Sequence, residues 1–140
     1  MKILAAVDGS PFTKRMLAYI AAHDEWLGSR HDYTLLTIVA ALPSRAAAVV
    51  NKDTLQEYYD AEGEKVFKPI RTFFTRQGVS ASYVAKVGHA AEVIASAADK
   101  GKYDLVIMGS HGHGSFTNLV MGSTVTKVLS KCGVPVLLVR

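Results

Sequence analysis

Short apolar runs recur along the chain and alternate with longer segments in which apolar residues return at helical spacing. The runs are rich in β-branched and aromatic residues, and the first shows no alternation of polar and apolar positions. Such runs are typical of strands buried on both faces of a parallel sheet. The pattern predicts five strands, at Ile3–Val7, Tyr33–Ala40, Val79–Val87, Tyr103–Met108 and Val134–Val139.

The segments between these runs carry helix signals. After Asp8 and Gly9, Ser10 is a candidate helix cap and Pro11 suits the first helical position, so we expect one helix from there to Gly28. Helical spacing predicts three further helices, from Thr54 to Gln77 with a kink near Pro69, from Ala90 to Lys100, and from the Gly122 region to Gly133. The stretch from Ala41 to Val50 has no clear assignment.

The alternation of strands and helices determines the predicted fold class. A βαβαβαβαβ order requires right-handed crossovers. We therefore predict one α/β domain over residues 1–140, with an open, mostly parallel five-stranded sheet covered by helices on both faces, as in Rossmann-like proteins. Partial alternation in the third run places that strand nearer a sheet edge, and Pro135 indicates either an edge position or the first residues of the fifth strand. Ligands of such sheets lie beyond the carboxyl ends of the strands, where Asp8, Ile38 and Gly109 stand.

Composition narrows the functional classes. The 140 residues are 49% hydrophobic and 20% charged, which is typical of a globular protein. The net charge of +4 comes from scattered lysines and arginines rather than from a basic tract, which argues against nucleic-acid binding. Cys132 is the only cysteine, so no intrachain disulfide can form, and no apolar run approaches a membrane span. We expect a cytoplasmic protein that binds neither membrane nor nucleic acid.

A glycine-rich segment follows the fourth strand and leads into the last helix. Gly109 and Gly112 are three residues apart, and Gly122 and Ser123 follow after nine more. Glycine lets backbone N–H groups approach a phosphate closely and gives access to positive φ, while a helix start offers free N–H groups and a favourable dipole. The segment therefore predicts a phosphate site, although the same glycines could simply make a tight strand-to-helix turn.

The spacing Gly109-x-x-Gly112-x9-Gly122-Ser123 resembles the signature of the universal stress protein family, in its ATP-binding branch. The resemblance extends along the chain, from the end of the first strand to the closing fifth strand. It implies ATP, or ADP or AMP, lying across strands one, two and four, with magnesium or manganese carried by the phosphates. It also implies a homodimer paired through the C-terminal edge strand. The implied nucleotide-binding residues are Ala6, Val7, Asp8, Ile38, Met108, Gly109, His111, Gly112, Gly122, Ser123 and Thr124.

Several of these residues have alternative roles. Asp8 could cap the following helix, Met108 and Ala6 could be ordinary core residues, and His111 with His113 could share a metal ion, although no third ligand is evident. We therefore expect no metal held by the protein itself. Ser110, Ser115, Thr117 and Asn118 are further candidate phosphate donors.

The sequence lacks the machinery of fast hydrolysis. No Gly-x-x-x-x-Gly-Lys-(Ser/Thr) motif and no paired carboxylates stand beside the glycine loop. The leading hypothesis is a regulatory stress protein that holds an adenine nucleotide. The alternatives are a relative that binds no nucleotide and acts through partner proteins, and a slow ATPase or nucleotidyl-transfer enzyme using Ser123, Thr124 and His111.

Overall fold

The computed structural model describes residues 1–112 and 121–140 of the chain. The strands are β1 Lys2–Ala6, β2 Asp32–Val39, β3 Ala81–Val87, β4 Leu105–Gly109 and β5 Val136–Val139. The helices are α1 Pro11–Ala22, α2 Asp24–Leu27, α3 Ser44–Ala48, α4 Lys52–Arg76, α5 Ala90–Lys100 and α6 Ser123–Lys131.

The five strands form one parallel sheet in the order β3-β2-β1-β4-β5, which confirms the predicted fold class. The central strand β1 is paired on both sides, with Ala6 opposite Leu36 of β2 and Met108 of β4. The strands β3 and β5 lie at the two edges, as their sequence patterns predicted. The carboxyl ends of β2, β1 and β4 are therefore neighbours.

Two apolar cores lie on opposite faces of the sheet. Because successive strand residues point to opposite faces, Ile3 packs with α1 and α4 on one side, while Leu4 packs with α5 and α6 on the other. Both side chains are almost completely buried. Burial on both faces explains why the first apolar run shows no alternation.

The first helix differs from its prediction because it breaks at His23, which separates α1 from α2. His23 leaves the helical conformation, with φ −117° and ψ 49°. Its ring stacks on that of Tyr19 at 3.9 Å, and its Nδ1 lies 2.8 Å from the Tyr19 carbonyl oxygen. The imidazole thus adds a second partner to a carbonyl oxygen of the last turn, which also accepts the backbone N–H of His23 at 3.2 Å.

Other boundaries follow the sequence more closely. The unassigned stretch contains the short helix α3, which begins directly after Pro43. The long helix α4 runs through Pro69, and the kink expected there stays a prediction. Within residues 1–112 and 121–140, no helix is both long and apolar enough to cross a membrane.

A glycine in α4 sets how closely this helix approaches the sheet. Gly63 is buried, and a Cβ at this position would lie 2.8 Å from the Cβ of Ala85 and 3.9 Å from Cγ2 of Thr37. No ordinary pair of Cβ atoms comes so close, so a side chain at Gly63 would push α4 away from β2 and β3.

Gly63→Val should therefore destabilise the protein by about 1–3 kcal/mol through overpacking. Helix propensity alone predicts the opposite sign, since valine is favoured over glycine by about 0.3 kcal/mol. The free energy of unfolding in urea distinguishes the two. Ala61→Val, which places valine at an exposed position of the same helix, is the matched control and should cost only about 0.5 kcal/mol.

Candidate functional site

The carboxyl ends of β1, β2 and β4 surround a cavity of about 270 Å³. Every residue in the predicted set lines it, and their role as ligands stays a prediction. The predicted lining residues are Ala6, Val7, Asp8, Ile38, Met108, Gly109, His111, Gly112, Gly122, Ser123 and Thr124. Sequence reasoning missed five others: Thr13, Leu36, Ala90, Ile94 and Val125.

Simple spacing rules could have found most of the missed residues. Leu36 stands two positions before Ile38 and therefore faces the same side of β2. Ala90 and Ile94 are four residues apart at the start of α5 and share one helix face. Thr13 carried no such signal, because its place depends on how α1 folds back against Asp8.

The cavity has two chemically different ends. Leu36 and Ile38 of β2, together with Ala90 and Ile94 of α5, form an apolar wall on one side. Glycine backbone and hydroxyl groups from β4 and α6 form the other side. Because β1 lies between β2 and β4, with strands about 4.8 Å apart, Asp8 stands between the apolar and polar ends.

The turn after β1 is built around the Asp8 carboxylate. Gly9 takes the positive φ of 77° that this turn needs. The N–H of Ser10 donates to Asp8 Oδ1 at 2.9 Å, and the hydroxyl of Thr13 donates to the same oxygen at 3.1 Å. Asp8 therefore ties this turn to the first turn of α1 through the Thr13 side chain, while the helix-capping role considered for it stays a prediction. Ser10 occupies the cap position, but its buried hydroxyl makes no hydrogen bond within the described residues, contrary to expectation.

Gly109 and Gly112 are required for close approach rather than for unusual backbone angles. Neither adopts the positive φ that we expected. A Cβ at Gly109 would lie 2.7 Å from the Cβ of Phe12, and one at Gly112 would lie 2.5 Å from Asp8 Oδ2. The glycines thus clear space first for the turn after β1, and they let the two chain segments close one side of the cavity.

Ser110 joins the two ends of the glycine-rich segment to the rest of the fold. Its N–H donates to Val139 of β5 at 2.9 Å, and its carbonyl accepts the N–H of Gly122 at 2.8 Å. The N–H of Gly122 is therefore not free for a phosphate, which corrects one expectation from the sequence. Ser110 is 2% exposed, so this junction is protected from water.

The amino end of α6 faces the cavity. Its first internal bond runs from the N–H of Thr126 to the carbonyl of Gly122 at 3.2 Å. The first turn of any helix leaves its N–H groups without partners inside the helix, and in α6 these belong to Ser123, Thr124 and Val125. They carry the positive end of the helix dipole towards the cavity. No lysine or arginine lines the cavity within the described part of the chain.

His111 is held at the side of the cavity. Its Nδ1 lies 2.9 Å from the hydroxyl of Ser110, and its ring is 4.9 Å from that of Phe12. Arg15 lies over the same Phe12 ring at 4.9 Å. Within residues 1–112 and 121–140, no group of three or more His, Cys, Asp and Glu side chains could hold a metal ion. The remaining candidates lie outside the described residues: His113, Ser115, Thr117 and Asn118.

The whole chain matches one family model. The model described as Universal stress protein family covers residues 1–140. A universal stress protein of Synechocystis is 32% identical over 141 residues, which is 99% of this chain and 42% of that protein. Another, of Thermus aquaticus, is 32% identical over 139 residues, 99% of this chain and 97% of that protein. The chain thus spans less than half of the first relative and nearly all of the second.

Solved structures share the fold at low sequence identity. A universal stress protein family protein of Arabidopsis thaliana with AMP bound has a TM-score of 0.70 at 16% identity, covering 99% of this chain and 90% of that one. The universal stress protein of Archaeoglobus fulgidus in complex with dAMP has a TM-score of 0.65 at 16% identity, covering 100% and 98%.

The contact between Gly112 and Asp8 can be tested by stability alone. Gly112→Ala should lower the free energy of unfolding by about 1–3 kcal/mol, because the added methyl group meets Asp8 Oδ2. In an Asp8→Ala background the same change should cost about 1 kcal/mol less. Urea denaturation of the two single variants and the double variant measures this coupling. Equal costs in both backgrounds would contradict the contact.

Proposed function

The chain belongs to the universal stress protein family, and we propose that it binds an adenine nucleotide, ATP before ADP or AMP, as a regulatory ligand in stress response. The observation that carries this proposal is the order of apolar and polar groups along the cavity lining. An apolar wall and a helix amino end face each other across Asp8. A nucleotide has the same sequence of parts, a flat base, a hydroxylated sugar and an anionic phosphate chain.

Each part of the nucleotide has a matching group in this proposal. The base packs against Leu36 and Ile38 and receives polar contacts from the backbone of β2. The sugar lies at Asp8, whose carboxylate can accept a hydroxyl hydrogen. The phosphates meet the first N–H groups of α6 with the hydroxyls of Ser123 and Thr124, because free N–H groups and the dipole favour an anion there.

Magnesium or manganese would reach this cavity with the phosphates. Both ions prefer oxygen ligands, and phosphate oxygens together with water satisfy them with few protein groups. At the polar end of the cavity, Ser123 and Thr124 carry hydroxyl oxygens that could bind such an ion. In this arrangement the ion neutralises part of the phosphate charge, and the N–H dipoles of the cavity lining stabilise the rest.

Two structural neighbours support an adenine nucleotide as the ligand. The Arabidopsis protein is described with AMP bound, and the Archaeoglobus protein is described in complex with dAMP. Both have the fold of this chain, although their identity to it is low. The base is therefore the best supported part of the proposal, while the number of phosphates rests on the glycine signature and on the amino end of α6.

A homodimer in the cytoplasm completes the proposed picture. Strand β5 pairs with β4 on one side and lies at the edge of the sheet. An edge strand offers backbone N–H and C=O groups to a second copy across a two-fold axis. Pairing there would leave the cavity accessible, since the cavity lies at the carboxyl ends of β1, β2 and β4.

The direct test is to identify what the purified protein carries. The protein is denatured, and the supernatant is chromatographed for nucleotides. Released ATP supports the proposal, whereas released ADP or AMP indicates turnover or a shorter ligand. If no nucleotide is released and ATP does not raise the melting temperature, the alternative without nucleotide is favoured.

A proline at the start of α6 should separate phosphate binding from folding. Ser123 is the first helical residue, and Gly122 has φ −74° and ψ 162°, which suits a residue before proline. Ser123→Pro removes one N–H while leaving the helix intact. We expect it to weaken ATP binding by about tenfold or more, the loss of one charge-assisted hydrogen bond, and to leave adenosine binding unchanged.

Two variants control this experiment, and calorimetry with ATP and adenosine measures all of them. Ser123→Ala removes only the hydroxyl and should lose less affinity than the proline variant. Lys52→Pro makes the same change at the first residue of α4, away from the cavity, and should leave ATP binding intact. Unchanged ATP affinity in Ser123→Pro would move the phosphates away from α6.

A further inference from the structure

Thr13 links the side chain of Asp8 to its own backbone. This residue lies in the first turn of α1, is 5% exposed and lines the cavity. Its hydroxyl accepts the N–H of Asp8 at 3.1 Å and donates to Asp8 Oδ1 at 3.1 Å. One hydroxyl therefore uses both its donor and an acceptor position on the same neighbouring residue.

The Asp8 carboxylate is held from two directions. On one side, Thr13 and the N–H of Ser10 both donate to Oδ1. On the other side, Oδ2 lies so close to Gly112 that a Cβ there would be 2.5 Å away. A carboxylate on a flexible side chain would lose conformational entropy on binding a ligand, and this arrangement has already restricted it.

The restricted Asp8 carboxylate lies where it could contact a bound nucleotide. Asp8 lies between the apolar wall of the cavity and the amino end of α6, where the sugar of a nucleotide falls in the proposed function. Sequence alone assigns Asp8 a part in that cavity but gives Thr13 none. The geometry instead makes the Thr13 side chain, beside the backbone N–H of Ser10, a group that orients the carboxylate.

We propose that Thr13 is a positioning residue that holds Asp8 to accept a hydrogen bond from a ribose hydroxyl, so that ribonucleotides bind more tightly than deoxynucleotides. This inference rests on the proposed function and adds the sugar to it. A hydroxyl bonded to a charged carboxylate is a strong contact, and it needs the acceptor oxygen in a defined place. Without the Thr13 hydroxyl, Oδ1 loses one of its two described hydrogen bonds, the carboxylate is less restricted and the contact with the sugar weakens.

The test compares the sugars rather than total affinity alone. The affinities of wild-type protein, Thr13→Val and Thr13→Ser for ATP, 2′-deoxy-ATP and 3′-deoxy-ATP are measured by calorimetry. Wild type should bind ATP about tenfold more tightly than at least one deoxy analogue, the worth of one hydrogen bond to a charged group. Thr13→Val should lose about that factor for ATP and little for that analogue. Thr13→Ser, which keeps the hydroxyl, should retain the wild-type ratio.

Matched variants separate positioning from simple stabilisation of α1. Thr75→Val removes an exposed hydroxyl that bonds to the Arg71 carbonyl within α4, and it should leave all affinities unchanged. Thr13→Ala is measured in parallel and serves in place of Thr13→Val if valine prevents folding. Melting temperatures of every variant are recorded, so that lost stability is not taken for lost recognition.

Each result bears on the inference in a defined way. Loss of the ATP preference in Thr13→Val and its retention in Thr13→Ser support it. A lower melting temperature with an unchanged sugar ratio would show that Thr13 only stabilises the start of α1, and the inference would be wrong. Equal binding of all three nucleotides by wild type would also overturn it while leaving the proposed function standing. Failure of wild type to bind any of them would overturn both.

Discussion

The site depends on the close approach of two stretches of chain, one from Asp8 into the first turn of α1 and one from the end of β4 to Gly112. Gly109 lies against Phe12, and Gly112 lies against the carboxylate of Asp8, at distances that leave no space for a side chain. The approach brings Asp8 and the amino end of α6 to one cavity. A side chain at Gly109 would push the end of β4 away from α1, and one at Gly112 would displace the Asp8 carboxylate from its place in the cavity.

The order of strands in the sheet determines what this approach brings together. β1 lies in the middle, so its carboxyl end has β2 on one side and β4 on the other. The apolar wall comes from β2 and α5, and the N–H groups come from α6. Ser110 fixes α6 in place by bonding to Val139 and to Gly122 at once. The strand order therefore places an apolar wall and a helix amino end at one cavity, whose described lining has few charged side chains.

This construction gives the cavity preformed hydrogen-bond donors at the start of α6. The described lining of the cavity attracts an anion through the dipole and N–H groups of α6, which are fixed by the helix and need little rearrangement on binding. The Asp8 carboxylate is bonded to Thr13 of α1 and to the N–H of Ser10, so its position depends on the structure of the turn after β1. A change in this turn would move Phe12, which packs against both Gly109 and His111.

The positions of the site were accessible to sequence reasoning, but several of its roles were not. Spacing placed Asp8, Ile38 and the glycines at the ends of the right strands, because parallel topology leaves few alternatives. The reason for Gly112 was only partly foreseen, since it makes room for a carboxylate that is far away in sequence. The N–H of Gly122 is committed to Ser110, and the break at His23 depends on stacking with Tyr19.

The sequence by itself determined the alternation of strands and helices, the edge positions of β3 and β5, and the family of the chain. These follow from the local periodicity of apolar residues and from short motifs, both of which are read along the chain. Only the tertiary structure decided that Thr13 bonds to Asp8 and that Leu36, Ala90 and Ile94 complete the apolar wall. Spacing can show that Leu36 shares a face with Ile38 and that Ala90 shares one with Ile94, but only packing of the helices against the sheet brings these faces and Thr13 to one cavity.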